Sequence, residues 1–319
     1  LQLLRGAGAK GLGAMPVVRK QSPGVGNQAS GPAPRILRPL LEVPRSEIEA
    51  YACKKQLHWI TDESNADVSF DRNFLRHEIF PVLGKRFPSY RTTFLRTSCH
   101  LAEASGLLDE LAEADSSNCS VSGKLQVEGL RKLDFPRAKN LLRHTLAQQG
   151  ATLPSTVKLE EILRQLLSSR PDTKLHIVFG NTEIRCFKGA MHVRPLTAPV
   201  ATEWRLAWHG EKQLVIPDLG GTISFSQRKS AGINLPKLME KPVAIRLRQG
   251  GERLRPDCKR PRRSLKNLLQ EAALPPWERE ALPLLFSGEH LVWVPGIGID
   301  CDFQAAAGEP GLVVKWQQG

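Results

Sequence analysis

The chain has no CxxC pair. Its six cysteines, Cys53, Cys99, Cys119, Cys186, Cys258 and Cys301, lie too far apart for zinc-ligand spacing. They read as reduced thiols, buried or incidental, and no metal site is expected from them. No apolar run approaches the roughly 20 residues that span a bilayer, and no charged-then-apolar leader is present. That excludes a membrane-spanning helix and a recognisable secretion signal, and it points to the cytosol. No internal repeat of fixed period occurs. Acidic residues are outnumbered, 32 Asp and Glu against 45 Lys and Arg, giving a net charge of +13 and an isoelectric point near 9.7. The imbalance favours a polyanionic partner such as nucleic acid, although a generally basic surface has the same sign.

The 319 residues allow more than one core, because single domains hold about 100 to 200 residues. The opening LQLLRGAGAKGLGAM reads as a helix end running into a glycine-rich turn, and hence as a start in mid-domain. Val17 and Val18, then Ile36, Leu37, Leu40 and Leu41, predict two short strands around a solvated connector, SPGVGNQASGPAP. Ile48, Tyr51 and Ala52 fall at helical spacing after Pro44, which suits a first helical turn. A strand followed by a helix is α/β grammar. Phe94, Leu101, Leu108 and Leu111, backed by Glu103, Asp109, Glu110 and Glu113, predict a long amphipathic linking helix. Beyond it, VSGKLQVEGL reads as a strand, residues 137–149 and 157–167 as helices, and LHIVFGNTEIRCFKGAMHVRP as strands. Residues 204–225 are β-rich, and the last module mixes strands with a helix near 265–273 and a closing strand LVVKW.

Three segments could carry chemistry. GAGAKG formally matches GxGxxG, but no strand precedes it and no acidic ribose anchor follows about 20 residues later. It reads as a sharp turn, either purely structural or one whose backbone meets a phosphate or base beside Arg5. DESNADVSFDRNFLRHEIFP sets Asp62, Glu63, Asp67 and Asp71 beside Asn65, Arg72, Asn73 and Arg76. The carboxylates could hold a cationic amine or a metal. The arginines, four apart on a helix after Phe70, could neutralise phosphate. Capping and surface ion pairs account for the same residues. The third segment runs from Arg246 to Ala272 and packs Arg253, Arg255, Lys259, Arg260, Arg262, Arg263 and Lys266 among only three acids. Such density reads as a phosphate-tracking surface, or as a solvated basic loop.

Together these segments resemble the tRNA(Ile)-lysidine synthetase family. The residues that carry the likeness are RPLL at 38–41, Trp59, D-x-S-N-x-D-x-x-x-x-R-N-x-x-R from Asp62 to Arg76, and the opening R-G-x-G-x-x-G-L-x-x-M. The resemblance implies an α/β remainder of a PP-loop, adenine-nucleotide alpha-hydrolase-like domain over 1–93, and a linking helix over 94–116. Two smaller α+β domains would follow: one over 117–200, and a β-rich tRNA-binding one over 201–319. It implies a bacterial, cytoplasmic ligase that joins L-lysine to the wobble cytidine of tRNA(Ile) with a CAU anticodon, through an adenylated cytidine, using ATP and Mg2+. Asp62, Asn65, Arg72, Asn73 and Arg76 would form the catalytic pocket, and Arg5, Gly6 and Gly8 a cofactor wall. The basic residues of the third segment would bind tRNA. That family's S-G-G-x-D-S pyrophosphate loop does not occur in the chain. The expectation that follows is that the N-terminal half of the domain is missing and that this chain alone is inactive. A non-catalytic tRNA-binding remnant and a basic scaffold for DNA or protein are the alternatives. A homodimer stays open, since the helix spacing equally fits packing within one chain.

Overall fold

Apolar side chains at helical spacing build the first core of this computed structural model. Helix α7 (Phe135–Gln148) buries Ala138, Leu141, Leu142 and Leu146, and α8 (Thr156–Ser168) buries Leu159, Ile162, Leu163 and Leu166. Both begin on a side-chain cap: Asp134 accepts from the Arg137 amide and Ser155 from the Lys158 amide. The described residues are 1–13, 15–20, 35–60, 62–170, 175–196, 201 and 203–318. The connector SPGVGNQASGPAP lies outside them.

The chain divides into two units, Leu1–Leu196 and Thr197–Gly319. The first begins with α1 (Ala9–Leu12), β1 (Val18–Lys20), β2 (Arg35–Leu37) and α2 (Arg45–Lys54). The two strands pair antiparallel, as a ribbon. A 3-10 turn (Glu63–Ala66), α3 (Asp71–Phe74), a π-helical turn (Leu75–Ile79) and α4 (Phe80–Arg86) follow. Among the described residues 1–95, Asn73 alone is buried, while Leu4, Ile60, Phe70 and Val82 are exposed.

Helix α5 (Tyr90–Cys119) runs for 30 residues. It contributes Ala112, Asp115 and Cys119 to buried positions, and Arg137 of α7 pairs with the Asp115 carboxylate. VSGKLQVEGL is not one strand. Ser122 and Gly123 both take positive φ, 51° and 74°, so β3 (Ser120–Val121) turns back into β4 (Lys124–Leu125), and α6 (Val127–Arg131) follows. Strands β5 (His176–Phe179), β6 (Thr182–Phe187) and β7 (Ala190–Pro195) form an antiparallel meander that closes the core with Ile177, Ile184 and Met191.

The second unit is two antiparallel sheets. One has the order β11 (Ile233–Asn234), β18 (Pro310–Gln318), β10 (Gly221–Lys229), β9 (Gln213–Ile216). The other runs β17 (Gly298–Ile299), β16 (His290–Val294), β15 (Leu284–Ser287), β12 (Val243–Arg246), β8 (Arg205–Ala207). Trp208 stacks on Phe225 at 4.8 Å in their shared core. Helix α9 (Leu235–Leu238) follows β11. A small ribbon, β13 (Arg253–Leu254) with β14 (Arg263–Ser264), leads into α10 (Leu265–Glu271) and α11 (Pro276–Glu280). Leu254, Leu265, Leu269 and Leu284 pack beneath it.

One expectation for the thiols is corrected here. Cys258 and Cys301 are joined by a disulfide, with Cα atoms 5.3 Å apart, whereas the other four cysteines are free. Their sequence separation of 43 leaves no motif by which the pairing could be read.

Candidate functional site

Within Asp62–Arg76 the polar residues first organise their own backbone. Asp62 caps the 3-10 turn by accepting from the Ser64 amide at 2.9 Å, and Asp67 accepts from the Ser69 amide at 2.8 Å. Hydrogen bonding from the Ser64 side chain and amide holds the Asp62 carboxyl below its usual range, and the Ser69 amide and hydroxyl do the same for Asp67. Asn73 fastens the loop. Its Nδ2 donates to the carbonyls of Ser64 at 2.8 Å and Asp67 at 2.9 Å, with the residue only 7% exposed. Asn65 donates to the Asp62 carbonyl at 3.2 Å, and the Asn65 carbonyl lies 3.1 Å from Nε2 of His77.

Arg72 and Arg76 are exposed, and no carboxylate pairs with either among the described residues. The regular helix expected between them is interrupted, because α3 gives way to a π turn at Leu75 that ends on the Phe80 amide bonding the Leu75 carbonyl. A wider turn changes the angle between positions four apart, and such turns recur where side chains are re-aimed at functional sites.

The glycine-rich opening meets this segment. Arg5 donates to Asp71 at 3.1 Å, across 66 positions of sequence. Gly6 needs its positive φ of 69°, whereas a Cβ at Gly8 would meet nothing within 4 Å, so that backbone is open to approach. Gly13 is small for a different reason: a Cβ there would press on the Ala102 backbone of α5 at 3.0 Å. Lys10 adds a 3.1 Å ion pair to Asp109 on α5. Burial pushes the Asp109 carboxyl up, but Lys10, His144 and Arg143 outweigh that effect and hold it below its ordinary value. The carboxylates of the segment do not converge. No group of three or more His, Cys, Asp or Glu side chains among the described residues could hold a metal ion.

The segment and the turn fall inside a match to a family model described as the PP-loop domain, over residues 1–83. Models described as the TilS substrate binding domain and the TilS substrate C-terminal domain match residues 125–192 and 243–316. A tRNA(Ile)-lysidine synthase of Nitrosomonas europaea is 53% identical over 319 residues, which is 99% of this chain and 68% of that protein. The chain belongs to the tRNA(Ile)-lysidine synthase family. A Coxiella burnetii member is 36% identical over 99% of this chain and 68% of its own length. One from Ralstonia nicotianae is 37% identical over 99% and 67%. The expectation that this family member lacks half of its nucleotide domain, and is inactive for that reason, is not supported. The PP-loop domain match spans residues 1–83.

In this lysidine synthase relative the basic stretch divides into anchored and open cations. Arg255 pairs with Asp302 at 2.6 Å, and Arg262 pairs with both Asp300 at 3.0 Å and Asp302 at 2.8 Å. Arg263 is bonded through Nη1 to Glu271 at 2.9 Å. Asp300 is 1% exposed and also accepts from the Arg255 amide at 2.9 Å, so it fixes the loop from beneath. Arg253, Lys259, Arg260 and Lys266 are exposed. Arg253 Nη2 donates to the Arg262 carbonyl at 3.1 Å, Arg260 contacts Asp257 at 3.4 Å and feels Glu271, and no acid pairs with Lys259 or Lys266 among the described residues.

Sequence reasoning missed Lys10, Asp109, Asp300 and Asp302. The first two lie 99 positions apart, and the last two fold back onto the basic loop from 38 to 47 positions away. No local pattern signals either pairing. Among the described residues, no helix is long and apolar enough to cross a membrane.

Proposed function

We propose that this chain joins L-lysine to the wobble cytidine of tRNA(Ile) with a CAU anticodon, using ATP, and so converts that base to lysidine. The observation that carries the reading is the likeness to the Nitrosomonas europaea tRNA(Ile)-lysidine synthase over 99% of the chain. The segment Asp62–Arg76 supports it, because its loop is held by Asn73 while Arg72 and Arg76 stay uncommitted.

ATP supplies the adenylyl group that turns the cytidine C2 oxygen into a leaving group, and the neutral lysine amine then displaces AMP. Arg72 and Arg76 are the cations available to phosphate, and Arg5 with the open backbone of Gly6 and Gly8 lines the same polar cluster. Asp62, Asn65 and Asn73 shape the loop; their side-chain bonds are to its own backbone. Among the described residues the carboxylates do not form a metal cage. Magnesium fits here as an ion carried on the ATP phosphates, where one or two carboxylates and water complete its shell. In the second unit Lys259 and Lys266 are the cations most open to tRNA phosphates, Arg253 and Arg260 are exposed beside them but bonded to the Arg262 carbonyl and Asp257, and Arg255, Arg262 and Arg263 set the loop's shape.

The test is incorporation of labelled lysine into tRNA(Ile) with a CAU anticodon, with ATP and magnesium, against methionine tRNA. Pyrophosphate release that requires ATP and the isoleucine tRNA, followed by lysine-dependent release of AMP, is the expected result, with methionine tRNA supporting neither. Binding of both tRNAs without incorporation into either would overturn it.

A further inference from the structure

Cys258 sits at the exposed tip of the loop between β13 and β14, and Cys301 opens a 3-10 turn (Cys301–Phe303). Beneath the tip, the ties to residues 300–302 are numerous. The Cys301 amide donates to the Arg255 carbonyl at 2.7 Å, and Asp300 and Asp302 hold Arg255 and Arg262. The tip is different. The Lys259 amide bonds Asp257 Oδ1 at 2.9 Å and the Arg260 amide bonds the Asp257 carbonyl at 3.1 Å, both bonds internal to the tip. At the base of the tip Gln304 Nε2 donates to the Pro256 carbonyl at 3.0 Å, and Cys258 is the covalent tie between that small turn and the body of the unit. Lys259 and Arg260, two of the exposed cations, ride directly beside it.

We propose that Cys258 and Cys301 form a reversible thiol–disulfide site whose oxidation, by a small disulfide of the glutathione type, fixes Lys259 and Arg260 for contact with RNA phosphate. The proposal rests on the reading of the basic segment as an RNA-binding surface. One protein thiolate attacks oxidised glutathione, forming a mixed disulfide and releasing one glutathione thiolate. The second protein thiolate then attacks the protein sulfur of that mixed disulfide and releases the other glutathione. Two protein thiols are oxidised, one small disulfide is reduced to two thiols, and the two protons pass to the released glutathione or to water. The basic loop attracts an anionic reagent of this kind. In a thiol-rich compartment such a bond is transient and reports redox state. Cys53 and Cys99 are also exposed but are free thiols, so in the same buffers they can form only mixed disulfides with glutathione, which peptide mass separates from the Cys258–Cys301 cross-link.

The experiment uses the full chain in buffers of graded reduced-to-oxidised glutathione ratio. The Cys258–Cys301 cross-link is followed by peptide mass after thiol blocking. Trypsin cleavage of the Lys259–Arg260 bond is read after reduction, and tRNA affinity is measured in the same buffers. Oxidation should slow the cleavage about tenfold, since cleavage requires local opening, and tighten tRNA binding roughly three- to tenfold by preorganising the tip. Cys258→Ser and Cys301→Ser should each behave as the reduced protein at every ratio. Absence of the cross-link at all ratios overturns the proposal. So does a cross-link that leaves either the cleavage rate or the affinity of an RNA-binding protein unchanged. If neither redox state binds RNA, the reading of the basic segment falls and takes the RNA half of the proposal with it. The cleavage rate then still decides whether the tip is clamped.

Discussion

Arg5 and Asp71 share a 3.1 Å ion pair that joins the glycine-rich turn to the polar segment 66 positions later. Both side chains are well over half exposed, 60% and 69%, so the pair acts on placement far more than on stability. Asp71→Asn should leave the melting temperature almost unchanged yet lower lysine incorporation about tenfold, as small misplacements of reacting groups do. Exchanging the charges, Arg5→Asp with Asp71→Arg, should recover part of that loss. Equal activity in all three proteins would show that the contact has no role.

Asn73 makes a second, sharper case. Removing its side chain leaves the Ser64 and Asp67 carbonyls without their donor, a loss of about 1 to 3 kcal/mol to the local loop. Asn73→Ala should therefore speed amide hydrogen exchange over residues 62–70 while helices α7 and α8 keep their protection. Slow exchange throughout would mean that the loop is held by something else.

Part of this was legible in the sequence and part was not, for reasons that can be named. Leu141, Leu142, Ile162 and Leu166 mark α7 and α8 because one face of each is buried and the spacing records it. The hairpin at Ser122 and Gly123 was hidden, because alternation persists through a two-residue turn and reads as one strand. The basic stretch looked undiluted because charges were counted along the chain, whereas Asp300 and Asp302 arrive through the fold. The π turn at Leu75 leaves no periodic trace in five residues. In Asp62–Arg76 capping was one of the two readings open from the residue types, and Asp62 and Asp67 do cap their own backbone; what the types could not show is that Asn73 reaches back to tie the loop together.

The division between open and anchored cations predicts different failures. Lys259→Ala and Lys266→Ala should each flatten the dependence of log K for tRNA on log salt by roughly 0.7 to 0.9, if each meets one phosphate. Arg262→Ala strips the buried Asp300 carboxylate of its cation and should act first on stability, by about 1 to 3 kcal/mol, measured by urea unfolding. Identical salt slopes for the two lysine variants and the parent would remove both lysines from the RNA surface.

His192 in β7 gives a pH prediction. Burial, then Lys124 and Arg194, depress its pKa from 6.5 to about 4. As pH falls below 6.5 the unfolded chain takes up this proton and the folded one does not, so stability is lost down to about pH 4 and is fully present above 6.5. The melting temperature should fall between pH 7 and pH 4.5, and fall less in His192→Gln. Parallel pH profiles for the two proteins would show that the imidazole is not responsible.

Gly311 of β18 predicts a packing defect. A Cβ there would collide with the Ala231 carbonyl oxygen. Gly311→Ala should cost about 1 to 3 kcal/mol in thermal or urea unfolding, and a neutral result would show that the 230s loop can yield.

Asn73 stands as the one buried side chain among the described residues 1–95. Heat-capacity change and denaturant sensitivity both scale with the surface that unfolding newly wets. A stretch already so wet will come apart with almost no calorimetric signature, and a scan that looks two-state will be reporting the helices and sheets elsewhere. A local reporter is needed to see it, and Trp59, 56% exposed in the middle of that stretch, is already there as an intrinsic fluorophore.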